Sequence, residues 1–167
     1  MGASVLDDPF KYGLLAALAI GLLIAAFTDL RSRQIGNWLN AAIAAGAPLF
    51  WWASGLSLAE IGWQLGVAFA AFVVLAGLFA LRAMGGGDVK LLTALALWIE
   101  PSWFLKLLVV MALLGGVLTV VLAAWHMIRG HKERLAIPYG VAIACAGLWA
   151  LSAQYLTAAP ASAGGLG

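Results

Sequence analysis

The chain's seven acidic side chains are where its chemistry starts, and position sorts them. Asp7, Asp8, Glu60 and Glu100 fall at the ends of apolar runs on one side, and Glu133 sits among basic residues. Asp29 follows directly on the apolar run 22–27. Asp88 follows Gly85-Gly86-Gly87 and precedes the shortest apolar run of the chain. A carboxylate at membrane depth is costly and either serves a purpose or has a partner. Read residue by residue, two alternatives stand. Asp88 caps a helix start and Asp29 pairs with Arg31 or Arg33, or the two carboxylates act together. Three consecutive glycines permit positive φ and close approach of another backbone. They fit a tight turn between two spans, or a carboxylate held beside room for an extended peptide. The stretch lacks the Gly-Lys-Ser/Thr ending of a phosphate-binding loop.

Other reactive types carry less. His126 and His131 are five apart, a poor spacing for one helical face, with no carboxylate cluster beside them, so no metal site is expected. A single cysteine, Cys145, excludes an intrachain disulfide and a multi-cysteine zinc site. Trp38, Trp51, Trp52, Trp98, Trp103, Trp125 and Trp149 lie mainly toward the ends of apolar runs and read as an interfacial belt. Gly62 and Gly66 have the spacing of a close helix contact, but with 20 glycines in the chain that spacing carries little weight.

The elements that must position these residues are set by composition. Of 167 residues, 65% are apolar and 10% charged, against about half and about a quarter in soluble domains. A water-soluble globule is excluded. Apolar runs cover 12–28, 38–54, 61–81, 89–99, 104–128 and 137–156. The fourth spans only if it extends over 88–101. Six spans of ~20 residues leave about 47 for loops and tails, so one all-α, membrane-embedded domain over 1–167 is expected. Lys106 belongs to the fifth run and reaches back to the interface along its own stem.

Arg31, Arg33, Arg82, Lys90, Arg129, Lys132 and Arg134 fall after spans one, three and five, against Lys11 and Lys106 on the other side. Cytoplasmic loops carry the basic excess, which puts both termini outside. Asp29 and Asp88 then emerge on the same, cytoplasmic face, a parity that holds for either orientation. The first run follows two aspartates and only Lys11, unlike a cleaved signal peptide. The tail 157–167 reads as a flexible end. A net charge of +2 without a basic cluster gives no sign of nucleic-acid binding.

Residues 85–91, Gly-Gly-Gly-Asp-Val-Lys-Leu, resemble the GxGDxKL signature of the type IV prepilin and preflagellin peptidases, which are membrane aspartic proteases. Residues 29–37, Asp-Leu-Arg-Ser-Arg-Gln-Ile-Gly-Asn, resemble that family's D-x-R-x-x-x-I-P-N stretch, with Gly36 where proline is usual. Residues 137–142, Ile-Pro-Tyr-Gly-Val-Ala, look like the P-Y-G-x-A element opening its last helix. The resemblance covers roughly 13–151. It implies Asp29 and Asp88 as the catalytic pair, with Gly85, Gly87, Lys90, Asn37, Pro138, Tyr139 and Gly140 in support, and no cofactor. The short N-terminus and lone cysteine look like the peptidase-only branch of Flp/Tad-type pili, which implies cleavage without N-methylation. The expected partner is a prepilin- or pseudopilin-like precursor with a short basic leader and an apolar helix, met at the cytoplasmic face of the inner membrane.

Two close carboxylates suit that reaction. One held ionised activates water while the other, protonated, serves the leaving amine. Lys90, two residues past Asp88 in a helix, points away from it and reads as an anchor. Asn37 reads as a cap for the second span. A small transporter or proton channel using Asp29 and Asp88 as relays is the competing class. It accounts for the acids but not for the glycine and Pro-Tyr-Gly elements. A silent assembly factor is a third class.

Overall fold

The structure, a computed structural model, describes residues 9–129 and 138–155. Asp7, Asp8, His131, Lys132, Glu133, Arg134, Ile137 and the tail 157–167 lie outside the described residues, as does the side chain of Arg129. Six helices follow in order: α1 Pro9–Ser32, α2 Asn37–Ala53, α3 Leu58–Ala80, α4 Gly86–Ala96, α5 Pro101–Arg129 and α6 Tyr139–Tyr155. All regular structure among the described residues is helical. Helices α1, α3 and α5 are long and apolar enough to cross a membrane.

Local chemistry sets the ends. A capping box opens α3: the Glu60 N–H donates to Ser57 Oγ while the Ser57 N–H donates to Glu60 Oε2, satisfying two donors that a helix start leaves orphaned. Proline opens α5, where its missing N–H costs nothing. At the end of α3 the Ala83 N–H reaches the Leu78 carbonyl and the Arg82 N–H the Phe79 carbonyl, the paired bonds of a Schellman turn. That turn holds Arg82 at φ 58°, a position where glycine is usual.

Helix α4 is central. It packs against α2, α3, α5 and α6, while α1 packs against α2 and α6. Leu91, Leu92, Leu95 and Ile99 are fully buried. In lipid, helices are held together by close packing and internal hydrogen bonds rather than by hydrophobic transfer, and both appear here. A Cβ at Gly147 of α6 would lie 3.0 Å from Leu22, and one at Gly46 of α2 would lie 2.7 Å from the Trp98 ring. Gly62 and Gly66, by contrast, have nothing within 4 Å of a built Cβ and join no close helix contact.

Two expectations are corrected here. The fourth run does not extend over 88–101. α4 has 11 residues, about 16 Å at 1.5 Å per residue, and turns over into short-range bonds at Leu97 and Trp98. The carbonyls this frees belong to a buried stretch, where polar groups need partners. Gln64 Nε2 donates to the carbonyls of Ala96 at 2.7 Å and Ile99 at 2.6 Å. Trp51 Nε1 donates to Leu97 at 2.7 Å, and the Tyr155 hydroxyl to Trp98 at 3.3 Å. The second correction follows. Trp51 and Trp98 are buried and hold backbone carbonyls, the latter that of Ile43 at 2.8 Å, so neither is part of an interfacial belt. Lys106 lies 3.8 Å over the Trp103 ring at the start of α5, at the helix end expected for it.

Gln64→Leu removes the donor shared by two buried carbonyls. Each unsatisfied buried group costs about 1–3 kcal/mol, so thermal unfolding in detergent should show a loss of about 2–3 kcal/mol. An unchanged midpoint would show that those carbonyls find other donors.

Candidate active site

Asp29 lies in the last turn of α1, one turn before the chain leaves the helix at Ser32. The apolar run that precedes it makes α1, so the side chain is carried inside the bundle and is 6% exposed. Its carboxylate meets the start of α6, where the Gly140 N–H donates to Asp29 Oδ2 at 2.8 Å. The first N–H groups of a helix have no intrahelical partner and the helix dipole is positive there, so α6 presents a ready-made anion cradle. Only glycine fits at that point: a Cβ on residue 140 would lie 2.8–2.9 Å from Asp29 Oδ2, Cβ and Cγ. Pro138, buried, sets the approach of the chain to α6, and its carbonyl accepts from the Val141 N–H at 3.2 Å.

Asp88 lies in the first turn of α4 and is 9% exposed. The helix begins at Gly86 with Gly85 as N-cap, which makes no side-chain cap bond. Asp88 is therefore not the N-cap of α4, which sets aside the helix-capping alternative for this residue. Its carboxylate leans back over the turn, 2.9 Å from where a Cβ of Gly85 would stand. Gly87 packs against Ile35, at 3.3 Å from the built Cβ. The glycines thus let the turn close on its own aspartate and on the segment joining α1 to α2.

These elements converge. Asp29, Arg33, Gln34, Ile35, the Gly85–Gly87 turn, Asp88 and Tyr139 line one cavity of about 410 Å³. The two carboxylates are within electrostatic reach of each other, and Arg33 is within reach of Asp29. Arg33 has φ 54°, a left-handed conformation just past the end of α1 that costs about 1–2 kcal/mol in a non-glycine residue. Tyr139 reaches the cavity because Gly115 of α5 leaves room for its ring, 3.1 Å from a built Cβ. A second cavity of about 770 Å³, lined by Phe79, Arg82, Met84, Gly85 and Tyr139, shares Gly85 and Tyr139 with the first.

The chain matches the model of the type IV leader peptidase family over residues 16–123, about two thirds of its length. The chain belongs to that family. Comparison with curated proteins and with solved structures gave no match. Both aspartates and the glycine turn fall inside the matched stretch, while the cradle at Gly140 lies beyond it. A leader peptidase acts on a precursor protein, and three membrane-crossing helices place this one in a bilayer as a multi-pass protein.

Not every supporting residue expected from this leader peptidase's sequence reaches the cavity. Lys90 is exposed, and its Nζ donates to Asn37 Oδ1 at 2.7 Å. Both line a neighbouring groove between α2 and α4. Asn37 is therefore not the cap of α2: Gly36 is, without a side-chain bond. Sequence reading passed over Asn40 and Gly115. Asn40 is 5% exposed, with Nδ2 3.5 Å from the Gly87 carbonyl, and a lone amide in an apolar run was the available signal.

Gly36 has φ −60° and ψ 137°, which a proline ring adopts without strain. Gly36→Pro should therefore raise stability by about 0.4–1 kcal/mol through the unfolded chain, with cleavage retained. The exposed Trp38 indole, 2.9 Å from a built Cβ, must swing aside. A fall in the unfolding midpoint of the variant would show that it cannot.

Proposed function

We propose that this chain is an aspartic endopeptidase that cuts the short basic leader from prepilin- or pseudopilin-like precursors. Asp29 and Asp88 are the catalytic pair. The observation that carries the reading is their meeting, from α1 and α4, in one cavity open beside a glycine turn. A water between them gives a proton to one carboxylate as its oxygen attacks the scissile carbonyl. The other carboxylate protonates the departing amine as the C–N bond breaks. The pair titrates as a unit, so acid and base are roles of the dyad and not fixed labels. Gly140 and the start of α6 orient Asp29, and the space over Gly85 admits an extended backbone.

The cavity faces the cytoplasm in this reading. Arg31, Arg33, Arg82 and Lys90 stand at the same end of the bundle as the dyad, and Lys11 and Lys106 at the other, in keeping with the basic excess of cytoplasmic loops. Six helices then alternate across the membrane with both termini outside, α4 reaching only part-way from the cytoplasmic face. The precursor's leader junction lies at that face, in the inner membrane, and the new N-terminus leaves unmethylated. Lys90 and Asn37 tie α4 to α2 rather than touch the substrate.

Purified protein in bilayer discs, incubated with a precursor carrying a basic leader and an apolar helix, tests this by mass spectrometry. The expected product lacks the leader and gains no methyl group when S-adenosylmethionine is present. Acid-dependent ion flux without any shortened product would favour a carboxylate relay instead.

A further inference from the structure

Two cavities meet at Gly85 and Tyr139, and their linings differ. The one that holds the aspartates is polar: two carboxylates, the Arg33 side chain and the Gln34 amide line it. The one beside it, about 770 Å³, is walled by Phe79 and Ala80 from the last turn of α3 and by Ala83 and Met84 from the turn that follows. Its one charge among the described lining residues is Arg82.

An extended peptide crossing Gly85 lays one side of its cut bond in each cavity. A precursor with a basic leader and an apolar helix is itself two-sided, cationic before the cut and apolar after it. Apolar side chains gain by leaving water for the walls of the second cavity, whereas a cation there meets Arg82 with no carboxylate to offset it. In the first cavity the aspartates offset Arg33 even when the pair shares one proton, so the leader is accommodated there at lower cost. The way out agrees. Among the described residues α3 packs on α4 rather than on α5 or α6, so helix packing does not close the space from Phe79 to Tyr139. Phe79 is itself exposed. A helix beginning just after the cut can pass through that gap into the bilayer without crossing the bundle.

We propose, on the leader-peptidase reading above, that the second cavity is the subsite for the first apolar residues after the cut, while the leader lies along Arg33 and Gln34. Arg82 determines specificity there: it keeps cationic residues off the mature side and so fixes the direction of the bound chain.

Cleavage of precursors that differ at single residues, measured as kcat/KM with the full chain in bilayer discs, tests it. A lysine placed just after the cut should lower kcat/KM about tenfold, the scale of one like-charge contact at a protein surface, and Arg82→Glu should recover most of that loss. The same variant should leave the dependence on the leader's basic residues unchanged. Ala83→Trp, which fills the cavity, should penalise leucine after the cut about tenfold more than glycine there. An Arg82→Glu gain that follows leader charge instead would reverse the direction and overturn the proposal. So would failure of the rescue, or equal penalties on leucine and glycine in a folded Ala83→Trp variant. Each of these outcomes leaves the peptidase reading standing, which falls only if the unaltered chain yields no shortened product or if cleavage survives loss of both aspartates.

Discussion

Asp29→Asn and Asp88→Asn should each lower precursor cleavage by about 10³-fold or more, at the upper part of the 10²–10⁴ that a positioned acid or base contributes. The amide keeps the size of the carboxylate but neither carries the charge nor exchanges the proton that the proposed pair shares. At Asp29 it also keeps an oxygen able to accept the Gly140 N–H bond, so the helix contact and membrane insertion survive. The double variant should be no worse than either single one, because residues acting as a unit lose their effect together. Cleavage rates in bilayer discs, with unfolding midpoints measured alongside, check both parts. Near-normal processing by one variant would remove that residue from the dyad.

Gly140→Val should be nearly as damaging by a different route. A built Cβ at this position already stands 2.8–2.9 Å from three atoms of Asp29, and two further methyl groups have no space. Either α6 moves away from α1 or Asp29 leaves its rotamer. Overpacking of this kind costs about 1–3 kcal/mol, so the unfolding midpoint should fall while the protein still inserts. The carboxylate is displaced by something near an ångström, and a misplacement of that size costs about 10²-fold in rate. Gly140→Ala should show the same pattern, weaker. Wild-type rates in a folded Gly140→Val variant would mean that the α6 cradle does not orient Asp29.

Much of this architecture could be read from residue order. Long apolar runs interrupted by charge give α1, α3 and α5 within a few residues, because a 20-residue apolar stretch has few alternatives in a bilayer. The same-side emergence of Asp29 and Asp88 needed only the number of runs between them. What stayed hidden depended on depth and on partners far along the chain. An extension of α4 to 101 is what the sequence suggests because its apolar run is otherwise too short to cross a bilayer. The sequence holds the answer only in scattered form, as Gln64, Trp51 and Tyr155, whose donors come from three different helices. Trp98 looked interfacial by its place in a run, yet it packs over Gly46 in the core. Asn37 looked like a cap because it follows a loop, and Lys90, 53 residues later, takes its oxygen. Gly140 was legible as a motif position, whereas its bond to Asp29 across 111 residues was not.

A single turnover in water labelled with ¹⁸O tests direct water attack by the aspartate pair. With enzyme in excess over precursor, one ¹⁸O should appear in the new carboxyl terminus of the released leader and none in the enzyme. Label in Asp29 or Asp88 after that first turnover, with unlabelled leader, would mean that a carboxylate attacks the amide itself, and it would contradict the account.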